Sequence, residues 1–104
     1  MNWIILFVAG IFEIVWAVSL KLSNGFQNVK ASVAFVVGMI LSMWFLSLSL
    51  RTIPLGTAYA IWTGIGAVGG FIAGIVFFGE SASAFRLCSA ALIVAGIVGL
   101  KLAA

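Results

Sequence analysis

The sequence has almost no charge. Seven percent of its 104 residues are charged, five basic and two acidic, while 65% are hydrophobic. Soluble domains of this size carry about 25% charged residues, so a soluble core with a solvated surface is excluded. There is no histidine, which removes the commonest metal ligand and the usual near-neutral acid–base group. The single cysteine, Cys88, cannot form an intrachain disulfide. No nucleophile–base set or metal constellation is present, so neither catalysis nor a cofactor is expected. The five basic residues are scattered and each stands near the end of an apolar run. They make no patch, so the net charge of +3 is no sign of nucleic-acid binding. Met1 and Asn2 provide no basic n-region, and the first apolar segment is expected to remain as an anchor.

What is present is long apolar segments. A bilayer core needs about 20 apolar residues per helix, and four stretches qualify, at about 3–20, 31–50, 54–78 and 84–102. Asn24 and Gly25 mark a turn after the first. The third opens at Pro54, a residue suited to a first helical position. The connections are short enough to force antiparallel neighbours and leave no room for a soluble domain. The expected architecture is an all-α integral membrane protein, a single membrane domain over 1–104. Loops one and three carry Lys21, Lys30 and Arg86; the opposite side carries Arg51 and Lys101. Three positive charges against two give the positive-inside rule little to act on, and insertion in both orientations is expected.

Glycine is spaced by four at Gly66, Gly70 and Gly74, with Gly64 and Gly69 nearby. Such stripes let helices approach closely; Gly64 and Gly66 could also serve as a hinge. Ala91, Ala95 and Gly99, with Gly96, form a similar stripe in the fourth segment.

Glu13 is the one acidic residue inside a span. Placing it there costs about 2.5–3.5 kcal/mol on insertion scales, and intramembrane ionisable residues mark ion or proton sites by default; the alternative is polar glue between helices. Desolvation disfavours the charged carboxylate, so a proton and a cation become exchangeable partners. Gly10 and Trp16 share its helix face, Gly10 leaving space and Trp16 presenting an aromatic surface. Gly38, Met39, Ser42 and Ser49 fall near one stripe of the second segment. Ser42 can donate either to the carboxylate or to its own backbone. Tyr59, Trp62, Thr63 and Gly66 share a face of the third, with Tyr59 and Trp62 deeper than an interfacial belt requires. Trp3 reads as a belt residue and Trp44 as either. A carboxylate, aromatic faces and hydroxyls together describe a cation site. Every Lys and Arg lies at or near a segment end, so the counter-ion of Glu13 is a proton or a substrate. One chain is too small for two access states, and two copies inserted in opposite orientations would supply the missing inverted repeat.

"FEIVWAVSLKLSNGF" (Phe12 to Phe26) and "PLGTAYAIWTGIGAVGG" (Pro54 to Gly70) resemble the small multidrug resistance family of proton-coupled exporters, over essentially the whole chain. The resemblance implies four helices per subunit, an antiparallel dual-topology homodimer paired through the fourth helices, and a bacterial inner-membrane location. It implies a central site in which the glutamate, here Glu13, binds protons and substrate in mutual exclusion. Trp16, Ser42, "GTAYA" (Gly56 to Ala60) and Lys101 look like the guanidinium-exporting branch. The quaternary-ammonium branch differs at the positions of Trp16 and Met39. Carried over by position, Ser42 and Trp16 orient Glu13, and Tyr59 and Trp62 line the pocket with Gly10, Met39 and Thr63 beside them. Ser89, Leu92, Gly96 and Gly99 fall at the pairing seam, with Ser89 standing where many relatives have glycine. The expected partners are guanidinium or a related small organic cation, protons, lipid and a second copy of the chain. The readings left open are export of quaternary ammonium cations and a proton-conducting subunit of a larger complex.

Overall fold

A computed structural model describes residues 2–103. Its elements are four helices: α1 (Asn2–Leu22), α2 (Val29–Ser49), α3 (Leu55–Phe78) and α4 (Ala84–Ala103). Each is long and apolar enough to cross a membrane. At 1.5 Å per residue even the shortest reaches about 30 Å, the thickness of a bilayer core.

Local chemistry sets the boundaries. After α1, Asn24 and Gly25 take left-handed φ values of 49° and 68°, which suit these two residue types. Phe26 follows at φ 69°, unusual for an aromatic residue. Its N–H donates to Ser23 Oγ at 3.3 Å, and its ring lies 5.9 Å from that of Phe35. Asn28 then caps α2, its Oδ1 accepting from the Ala31 N–H at 3.1 Å. Pro54 stands one position earlier than its chemistry suggests. Its ψ of 144° is extended and its carbonyl accepts the Ala58 N–H, so it is the N-cap and Leu55 the first helical residue. Gly79, at φ 66°, ends α3 in the left-handed conformation. Arg86 reaches back across the last loop, donating to the Ser81 carbonyl at 2.7 Å and pairing with Glu80 at 3.5 Å. Both side chains of that pair are exposed enough for it to contribute about 0–1 kcal/mol.

Helix α1 occupies the centre, packed on α2 and α3, while α4 leans on α3 alone. The buried core is small: Leu6, Ala9, Ile53, Ala58, Ile61 and Trp62. Lipid supplies little hydrophobic drive between helices, so close approach through small residues does the joining. Gly10 lies under Ile65, Gly69 under Ile14, Gly38 under Trp16 and Gly64 under Ile97. The expected four-residue glycine stripe is only partly a packing surface, because the α1 side chains settle off that register. Gly66 and Gly74 meet Glu13 and Glu80, whereas Gly70 faces open space and the tight contact belongs to its neighbour Gly69. Helix α3 runs unbroken through Gly64 and Gly66. No residue of α4 is buried, and Gly96 and Gly99 face open space.

Candidate functional site

Glu13 sits halfway along α1 and turns its carboxyl group toward α3, onto Gly66. A Cβ added at Gly66 would lie 2.5 Å from Glu13 Cδ and 2.6 Å from Oε2. The absence of a side chain at Gly66 is therefore what makes room for the acid. Glu13 Oε2 is buried and has no hydrogen-bond partner among the described residues. The basic side chains stand at helix ends or in loops, and three of them rest on aromatic rings: Lys21 over Phe78 at 5.4 Å, Arg86 over Phe71 at 5.0 Å and Lys101 over Trp3 at 5.2 Å.

One helical turn before Glu13, a hydrogen-bonded bridge ties three helices together. Trp62 Nε1 on α3 donates to Ser42 Oγ on α2 at 2.9 Å. Ser42 donates in turn to the Ala9 carbonyl on α1 at 2.7 Å. Ala9 is the helical acceptor for the Glu13 N–H. The single proton of the Ser42 hydroxyl is thus committed to a third partner, neither the carboxylate nor its own helix. Ser42 touches Glu13 only through the backbone of Ala9, a residue that the side-chain pattern could not single out because its contribution is a carbonyl. Removing the Ser42 hydroxyl strands the buried indole N–H of Trp62. Ser42→Ala is expected to lower stability by about 1–3 kcal/mol and to alter tryptophan emission, both measurable in detergent by unfolding followed through fluorescence.

The aromatic residues divide between two surroundings. Trp16 is packed against Gly38 and meets Phe35 edge-on at 5.8 Å; its Nε1 is buried and finds no partner among the described residues. Trp62 is 7% exposed. Tyr59 lies against it, ring centres 5.7 Å apart, yet is 55% exposed at the rim. Tyr59 and Thr63 line a groove of about 480 Å³ between α3 and Ile93 of α4, and Glu13 is not part of its lining. Met39 is half-buried on α2 beside Gly38. Gly10 does not leave space beside the carboxylate: Ile65 fills it, because α1 and α3 run parallel and bring Gly10 and Ile65 into register. Trp44 is exposed on α2, its ring 6.2 Å from that of Phe45. Within a single chain, Glu13, Gly66, Ser42, Trp62 and Trp16 gather around the middle of α1, while Tyr59, Thr63 and the α4 residues Ser89, Leu92, Gly96 and Gly99 point outward.

The structure so defines a small helical membrane protein built around one mid-span acid whose Oε2 is buried. Residues 1–93 match the family described as Small Multidrug Resistance protein, and the chain belongs to that family. Proteins of this family are transporters of the inner membrane and not enzymes, and the four candidate spans accord with that setting. The chain is 58% identical over 104 residues to the guanidinium exporter of Salmonella typhimurium (strain LT2), covering 100% of this chain and 99% of the relative. It is 60% identical over 103 residues to the guanidinium exporter of Proteus vulgaris, covering 99% of each. It is 58% identical over 102 residues to that of Escherichia coli (strain K12), covering 98% of this chain and 97% of the relative.

Proposed function

We propose that the chain exports guanidinium in exchange for protons, as an antiparallel dual-topology homodimer whose two Glu13 carboxylates share one site. The observation that carries this reading is the buried, unpartnered Oε2 of Glu13, held at mid-span with every basic side chain at a helix end or in a loop. Full-length likeness to proteins called guanidinium exporters supports the choice of cargo. Guanidinium is planar and carries its donors in the plane, so it meets a carboxylate bidentately while its faces rest on aromatic rings. Trp16 and Trp62 supply such rings, and Tyr59, turned outward in one subunit, supplies another from across a dimer.

In this mechanism a proton arriving at Glu13 removes the charge that holds the cation, which leaves. Loss of the proton restores the carboxylate and recruits the next cation. The two subunits exchange conformations at each switch, so the shared site opens to alternate sides. The test is proton flux driven by guanidinium in liposomes holding only the purified protein, with tetramethylammonium and a bulky aromatic ammonium ion alongside. Flux with guanidinium and little with the others is expected. Preference for the bulky ions would assign the chain to quaternary ammonium export, and silence with all of them would leave the partner-subunit reading.

The exposed outer face of α4 supports pairing through that helix. Ser89, Leu92, Gly96 and Gly99 lie on that face, and Leu92 is 74% exposed. Gly96→Leu is expected to abolish dimers, seen as loss of cross-linked species in detergent, while leaving the single-chain helix content intact. A Cβ at Gly96 meets nothing within 4 Å in the same chain, so a change in the oligomer reports on pairing alone.

A further inference from the structure

Helices α1 and α4 both flank α3 but do not pack on each other. Between them runs an apolar cleft of about 400 Å³, floored by Ile61 and Ile65 and walled by Phe7 on one side and Ile97 and Val98 on the other. Lys101 stands at its mouth, its ammonium group 5.2 Å from the Trp3 ring centre and so turned across the cleft toward α1. No Asp or Glu side chain serves that end of the molecule: Glu13 is at mid-span, and Glu80 lies in the loop at the opposite end. An apolar slot in a membrane protein, open to lipid and closed at headgroup depth by a cation beside a tryptophan, matches an acyl chain joined to an anionic headgroup.

We propose that this cleft is a binding site for an anionic phospholipid, with one acyl chain between α1 and α4 and the headgroup phosphate on Lys101. The α4 residues of the cleft (Ile97, Val98, Lys101, Leu102) centre about 170° round the helix from Ser89, Leu92, Gly96 and Gly99, taking 100° per residue. Pairing through that second face therefore leaves the cleft open to lipid. An antiparallel dimer would carry one such site in each leaflet. The site is separate from Glu13 and stands whether or not the cargo is guanidinium.

The experiment offers the purified protein an equal mixture of phosphatidylglycerol and phosphatidylcholine and measures retained lipid by native mass spectrometry. Wild type is expected to retain phosphatidylglycerol preferentially. Lys101→Gln is expected to cut that preference about fivefold, the effect of one surface cation on an anionic lipid. Val98→Trp, which fills the cleft and keeps the charge, is expected to displace both lipids. Equal retention of the two lipids by wild type, or an undiminished preference in Lys101→Gln, would overturn the proposal. So would efficient disulfide cross-linking of Val98→Cys between copies in a Cys88→Ser background, since a second chain would then cover the cleft.

Discussion

Glu13→Gln is expected to reduce guanidinium-driven proton flux to the rate of empty liposomes while leaving a folded dimer. Glutamine has nearly the shape of the protonated acid and fits the same seat on Gly66. It cannot release a proton and cannot offer a negative charge to a cation. Both half-reactions of the exchange are lost together. Replacing an ionisable group in mid-span with a neutral amide removes the cost of burying a charge, so the variant should unfold no more easily than wild type.

That combination separates function from structure. If Glu13 merely tied helices together, its replacement by another hydrogen-bonding side chain would preserve transport. Persistent proton-coupled guanidinium flux in Glu13→Gln would end the shared-site mechanism. Glu13→Asp refines the test: it keeps the charge but withdraws it by one methylene from Gly66. Reduced yet coupled flux is expected there, since exchange needs the carboxylate and its efficiency needs the position.

Much of this was legible in the residues themselves. Four apolar runs with polar punctuation define four spans, because a bilayer fixes both length and composition. Glu13 stands out because nothing else in a span is acidic. Contacts that depend on helix register were harder to read. Ser42 shares a plausible face with the site, but a helical wheel cannot say which of several acceptors its one proton finds. The Ala9 carbonyl is backbone, and composition carries no trace of it. The glycines illustrate the same limit. Spacing by four nominated Gly70, yet Ile14 presses on Gly69, since the relative rotation of α1 and α3 is set by the side chains of both helices. Tyr59 and Thr63 belong with Trp62 by spacing, while the structure leaves both exposed on α3.

The glycines also supply a prediction in which three similar substitutions have three different outcomes. A methyl group at Gly10 would lie 2.8 Å from Ile65 Cβ, an atom fixed close to the backbone of a β-branched residue. Gly10→Ala is therefore expected to push α1 from α3 and lower stability. At Gly70 a Cβ meets nothing within 4 Å, and Gly70→Ala should be close to wild type in both stability and flux. At Gly66 the obstacle is the carboxyl end of Glu13, the far end of a flexible side chain that can swing aside at little cost to the fold. Gly66→Ala should accordingly fold and pair normally but hold its carboxylate in the wrong place. Losing one charge-assisted hydrogen bond to the cargo, about 1.5–3 kcal/mol, corresponds to roughly ten- to hundredfold weaker binding. Guanidinium titrations of proton flux on the three variants, with unfolding measured in parallel, would read both axes. Normal flux in Gly66→Ala would mean that the seat on α3 is not where Glu13 meets its cargo. A folding defect there would mean that the carboxyl group is held too firmly to yield, which would make Glu13 a structural post as much as a binding group.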